Sequence, residues 1–197
     1  MTGEIANVIL ISAGHHKGAQ GASWNHRTEW PQAVMWQDLL VTYLGDIGEK
    51  VPTGLLRDKV EYINAALPVA AIEIHFNSAK VNGKHVGKGC ETLYYPGSAN
   101  GKELASYVQA AMVPDFLPDR GIKAGWYRMD APGVVDYDGD VDGDEKIDYF
   151  LRKTHCPAII IEPDFIHRYD LIEHNRAHCC MAIAKQLTLL LEHWGVL

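Results

Sequence analysis

His15, Glu29, His75 and Glu162 are the residues of this 197-residue chain whose types could do chemistry together. Zinc takes imidazole nitrogen and carboxylate oxygen, and a catalytic zinc site keeps three protein ligands and one position for water. A further carboxylate beside such a site can act as general base. His15 ends the stretch ILISAGH, where an apolar run gives way to Ser12, Ala13 and Gly14. His75 stands in AAIEIHFN, Glu29 follows Thr28, and Glu162 closes AIIIE. Each alone has an ordinary explanation. A single histidine is commonly structural, and a glutamate opening a helix commonly answers its dipole. Their joint placement at the ends of strands and helices points to one metal site, with His15, Glu29 and His75 as candidate ligands and Glu162 as candidate base.

The elements that must position them follow from local pattern. Residues 5–12 read as a short buried strand. The small residues after it allow a sharp turn and a close backbone approach. An imidazole just past the carboxyl end of a strand sits where open α/β sheets place their ligands. Thr28 can cap a helix beginning near Glu29, with Pro31 tolerated in its first turn. Val34, Met35, Leu39, Val41 and Leu44 predict the face of that helix that packs on the sheet. A short strand at 50–53 and a helix at 58–67, broken by Pro68, should follow. Residues 69–76 read as a strand buried on both faces, in which alternation puts Ala71, Glu73 and His75 on one side. If this strand neighbours the first, His15 and His75 share one end of the sheet, and Glu29 can reach back to them.

Further along, residues 80–89 read as a loop and 90–97 as a strand. Ser98 opens a helix with apolar Leu104, Tyr107, Val108 and Ala111 or Met112, ending before Pro114, and 120–129 is irregular or strand. A buried strand lies within 155–165, and a long amphipathic helix spans 169–193. Strands alternating with helices predict an α/β fold. The expectation is a single domain, 1–197, with a twisted, largely parallel mixed sheet flanked by helices and an acidic loop insertion.

Composition narrows the function. The net charge is −7, and −6 of it falls within residues 136–148. That leaves no basic face for nucleic acid. The start MTGEIANVILIS has no basic residue, and no apolar run is long enough to span a bilayer. The expectation is a chain synthesised in the cytoplasm without a signal peptide or membrane insertion. Cys90, Cys156, Cys179 and Cys180 form no CxxC spacing and read as reduced, mostly buried thiols.

The acidic insertion needs its own account. From Asp140, DVDGDEKIDYFL resembles a calcium-binding loop, with Asp140, Asp142 and Asp144 as carboxylate ligands, Lys146 offering its carbonyl and Asp148 at the ninth position. Glu145 replaces the glycine of the sharp turn and Leu151 replaces the bidentate glutamate. The competing reading is a solvated acidic loop, although aspartates at alternating positions repel without a counter-ion. Structural calcium is the expectation.

The motifs AGHHKGAQGA, Glu29, EIHFNSA, GCETLYYPGS and PAIIIEPDFI, in that order, resemble the zinc-dependent N-acetylmuramoyl-L-alanine amidases of the amidase 3 type. The resemblance covers residues 5 to about 190. It implies zinc on His15, Glu29 and His75 and a catalytic Glu162. The implied substrate is bacterial peptidoglycan, cut between N-acetylmuramic acid and the L-alanine of the stem peptide. Arg57 and Asn64 fall where the family has its arginine and helix asparagine. His16 fills a position usually held by glycine, and is either a wrong-register alternative to His15 or a substrate contact. Glu73 stands where serine is common and, like Asn77, is expected to touch substrate or support a ligand imidazole. Lys59 replaces a second arginine. With no signal peptide, the chain looks like a phage endolysin, monomeric and released to the wall by a holin-type route. The competing readings are a zinc carboxypeptidase-like peptidase and a non-catalytic, calcium-dependent wall-binding module.

Overall fold

The computed structural model describes residues 6–125 and 148–197. Asp140, Asp142, Asp144 and Lys146 of the expected calcium loop lie outside the described residues. The first half holds β1 (Ala6–Ala13), β2 (Ser23–Trp24), β3 (Arg27–Thr28), α1 (Glu29–Leu44), β4 (Gly48–Lys50), α2 (Leu56–Ala66), β5 (Pro68–Ile74), β6 (Ala79–Val81) and β7 (Lys84–Val86). The second holds β8 (Cys90–Tyr94), α3 (Ala99–Met112), β9 (Asp119–Ala124), α4 (Tyr149–Lys153), β10 (Ala158–Glu162) and α5 (Tyr169–His193).

One sheet organises these elements, in the order β4-β1-β5-β10-β8-β9. β4, β1, β5 and β10 run parallel, whereas β8 is antiparallel to β10 and β9 is parallel to β8. The carboxyl ends of β1, β5 and β10 therefore meet the amino ends of β8 and β9 at one edge. β1, β5 and β10 are buried on both faces over most of their length, so their runs are almost wholly apolar. Alternation divides them. Ile9, Ile11, Ile72, Ile74, Ile159 and Ile161 join the core under α1, α3 and α5. Leu10, Ala71, Leu93 and Ile160 join a smaller core with Val60 and Ile63 of α2 and Phe150 of α4.

Several local expectations hold. Ser98 caps α3, its hydroxyl accepting from Gly101 N at 3.0 Å. All four cysteines are free, and Cys90, Cys179 and Cys180 are buried. Among the described residues no helix is long and apolar enough to cross a membrane. Other details differ. The strand expected at 50–53 lies at Gly48–Lys50, and part of the loop at 80–89 forms the hairpin β6-β7. The predicted inner face of α1 is also corrected. Its buried residues are Glu29, Gln32, Ala33, Trp36, Gln37, Leu40 and Leu44, with Val34, Met35, Leu39 and Val41 only partly buried. Gln37 turns inward because its amide donates to the carbonyls of Ile11 (2.7 Å) and Val51 (3.0 Å). A stripe of apolar letters does not reveal a glutamine that satisfies two strand ends.

Candidate metal centre and active site

His15 follows β1 in a left-handed backbone conformation, φ 61°, which aims its ring across the sheet edge. Gly14 and Gly21 make room for this. A Cβ at Gly14 would lie 2.6 Å from Ile74 O, and one at Gly21 would lie 2.4 Å from the His15 ring. Ile74 O also accepts from Gly14 N at 2.8 Å, locking the end of β1 to β5. His75 follows β5 directly, and its N–H donates to Ile161 O at 2.9 Å. That bond sets Glu162, the last residue of β10, beside His75. Glu29 opens α1 and points back into the same edge. Its Oε2 accepts from Ala22 N and its Oε1 from Phe76 N, each at 2.9 Å.

The three side chains converge. Glu29 Oε2 lies 3.0 Å from His15 Nε2, and Glu29 Oε1 lies 2.9 Å from His75 Nδ1. One ligand atom from each residue lies within 4.8 Å of the other two. Burial disfavours the charge on Glu29, but the hydrogen bonds from His15 and His75 outweigh it and hold the carboxyl below its usual range. Burial likewise works against a charged His75, but Glu29 and Glu73 press the ring toward protonation and raise its pKa well above the ordinary value. Two buried carboxylates thus draw positive charge to one spot. Two imidazoles and a carboxylate around that spot are a donor set that fits zinc.

Glu162 is the fourth member. It is buried, and its Oε2 has no hydrogen-bond partner among the described residues. Burial pushes its carboxyl up to about 8, against the nearby charge of His75. A buried carboxylate oxygen without a partner is costly in a merely structural role. It suits a group that takes and returns a proton.

Glu73 supports the centre. Its Oε2 is 3.2 Å from His75 Nε2, and its Oε1 accepts from Ser12 Oγ at 3.0 Å. Burial would raise its pKa, but His75 and Lys59 lower it. Lys59, also buried, reaches Glu73 Oε1 at 3.5 Å and donates to His15 O at 2.8 Å. The lysine replacing the expected arginine therefore pins both the His15 loop and Glu73. Losing one partner of a buried ion pair typically costs about 3–5 kcal/mol. Lys59→Met should accordingly lower unfolding stability by about that amount in urea titration. A loss below about 1 kcal/mol, the scale of an exposed pair, would mean that Ser12 and His75 satisfy Glu73 unaided.

The remaining candidates lie around this group. His16 Nδ1 accepts from Gly18 N at 3.1 Å, so its ring is engaged in its own loop. Asn77 Nδ2 donates to Glu91 Oε1 at 2.5 Å. Asn64 ties α2 to the residues after α4, donating to Lys153 O and accepting from His155 N, both at 2.8 Å. Arg57 is exposed and pairs with Asp58 and Glu61. Asp148 caps α4 through Phe150 N at 2.7 Å. Burial pushes its carboxyl up to about 6, aided by the charge of Glu73, so this end of the acidic segment adjoins the site. Glu91 and Arg120 escaped the sequence reading. The signal that could have found Glu91 is the same as for Glu73: an acid inside a β-favouring run, CETLYY.

Comparisons with known proteins give the family and the fold. The amidase 3 family, described as N-acetylmuramoyl-L-alanine amidase, matches residues 9–174. Among solved structures, an N-acetylmuramoyl-L-alanine amidase from Clostridium difficile 630 superposes with TM-score 0.73 at 23% identity, covering 95% of this chain and 98% of that one. The catalytic domain of CwlV, an N-acetylmuramoyl-L-alanine amidase from Bacillus (Paenibacillus) polymyxa var. colistinus, gives 0.71 at 19%, covering 96% and 99%. The catalytic domain of the CD27L endolysin, which targets Clostridia difficile, gives 0.68 at 21%, covering 91% and 96%. A comparison with curated proteins gives no match. At these identities the superpositions establish the fold, and the family match carries the activity.

Proposed function

The chain belongs to the amidase 3 family of N-acetylmuramoyl-L-alanine amidases, peptidoglycan hydrolases, and from that premise we propose that it is a zinc enzyme with His15, Glu29 and His75 as ligands and Glu162 as the proton-transfer residue. The observation that carries this reading is the convergence of those three side chains beside a buried carboxylate with a partnerless oxygen. Zinc held there would polarise the amide carbonyl and make water a better nucleophile at neutral pH.

The chain's own residues supply the rest. Glu162 takes a proton from the attacking water and returns it to the leaving amine of L-alanine. Its burial keeps its basicity above that of an ordinary carboxylate. Glu73 and Lys59 hold the His75 ring and the His15 loop, so the ligands need little rearrangement. We read residues 1–197 as one catalytic domain, acting as a monomer in the manner of a phage endolysin.

The deciding experiment adds purified protein to isolated peptidoglycan and identifies the new ends. New amino termini on L-alanine support the amidase. A released terminal amino acid would replace it with a peptidase, and wall binding without cleavage would replace it with a binding module.

The Asp-x-Asp run of residues 136–148 supports one further reading, a structural calcium ion taking no part in the chemistry. A ligand binding only the folded state at 100 times its dissociation constant adds about 2.7 kcal/mol. The melting temperature should therefore rise with added calcium in a calorimetric scan. An unchanged value, with no heat on calcium titration, leaves the solvated loop.

A further inference from the structure

Beyond Glu162 the sheet edge continues into a second polar group. β8 pairs with β10 so that Glu91 lies opposite Glu162. Glu91 is 0% exposed, and its Oε1 lies 3.1 Å from an amino nitrogen of Arg120, at the start of β9. Lys123 of β9 also reaches Glu91, and Asn77 donates to it. The Arg120 guanidinium lies over the Phe165 ring, 4.7 Å from its centroid. Arg120 is therefore fixed from two sides, by a buried anion and by an aromatic face, while its side chain stays 24% exposed. A guanidinium presents five N–H donors in a planar fork that suits carboxylates. Among the described residues its one ion pair is with Glu91, which leaves most of that fork to a ligand.

We infer that Arg120, held by Glu91 and Phe165, recognises a carboxylate of the stem peptide on the leaving side of the cut amide. The inference rests on the proposed amidase reading and on Glu162 as the residue that protonates the leaving amine. The order of strands supplies the direction. His15 and His75 follow β1 and β5, Glu162 ends β10, and Glu91 and Arg120 come next on β8 and β9. The acyl side of the amide belongs at the ligands and the amine at Glu162, so the departing peptide runs on toward β9. Two strand spacings, about 10 Å, separate β10 from β9. The stem residue after L-alanine is a glutamate linked through its side chain, which leaves its α-carboxylate free or capped as an amide. At about 3.5 Å of chain per residue, that group and an arginine side chain can close the gap between them.

The test uses two polymeric peptidoglycans that differ only at this position, one with the free carboxylate and one with the carboxamide. Initial rates of L-alanine amino-terminus release give kcat/KM for each. A charge-assisted hydrogen bond predicts roughly a 10- to 100-fold preference of the wild type for the carboxylate polymer. Arg120→Gln should bring that ratio close to one, chiefly through KM, and Arg120→Lys should restore part of it. Equal rates on the two polymers by the wild type would overturn the inference. A parallel loss on both polymers in Arg120→Gln, with the ratio kept, would also overturn it and assign Arg120 to the fold. If the wild type cuts neither polymer, the amidase reading itself fails and takes this inference with it.

Discussion

Glu162→Gln should hold zinc at the wild-type ratio, bind peptidoglycan, and release L-alanine amino termini about 10²- to 10⁴-fold more slowly. The substitution keeps shape and volume and removes only basicity. Two facts make the effect large. Glu162 is buried, with Oε2 lacking a partner among the described residues, so its carboxylate is not consumed by a structural bond. It also stands beside His75, through the bond from His75 N to Ile161 O. A variant with near-normal turnover would make Glu162 structural and turn the search for a base to Glu73, a buried acid at His75 that is not among the proposed ligands. A variant that loses its zinc would make Glu162 a ligand and place Glu29 in doubt. Elemental analysis and amino-terminus counting on the same preparation separate these outcomes.

His75→Ala should retain little zinc and no measurable amidase activity, whereas His16→Ala should keep its zinc. The His75 ring bridges Glu29 and Glu73, at 2.9 Å and 3.2 Å. Removing it deletes a donor and also leaves two buried carboxylates facing each other. One buried, unpaired charge already costs about 3–5 kcal/mol, so thermal stability should fall together with metal content. His16 has no such place, since its Nδ1 accepts from Gly18 within its own loop. Zinc retained by His75→Ala and lost from His16→Ala would show that the loop presents the other histidine.

Much of this was legible in the chain itself. The strand runs ILIS, AAIEI and AIII are apolar because both faces of each strand are covered, and their lengths fit strands. Ser98 before α3 and Pro68 after α2 mark element boundaries through local chemistry, whereas Thr28 stands at the N-cap of α1 but makes no side-chain cap bond, its hydroxyl donating to Gln20 instead. The candidate ligands His15, Glu29 and His75, with Glu162, could be named because each ends or opens an element, and the ends of parallel strands gather at one edge. What depended on a non-local partner was hidden. The inner face of α1 was misread because Gln37 is buried by the carbonyls of Ile11 and Val51, far from it in sequence.

The sequence by itself determined the types of the long elements, the parallel α/β class and the residues able to hold a metal, since these follow from periodicity and side-chain chemistry, while the short hairpins β2-β3 and β6-β7 escaped it. Only the tertiary structure decided which side chains share charge. Lys59 lies 14 residues from Glu73 and 44 from His15, yet holds both. Glu91 is 71 residues from Glu162 in sequence and directly opposite it in the sheet. Such pairs depend on strand order and register, which are set by how the whole core packs. No local pattern records them, because a one-residue slip of register would turn the same side chains to the opposite face.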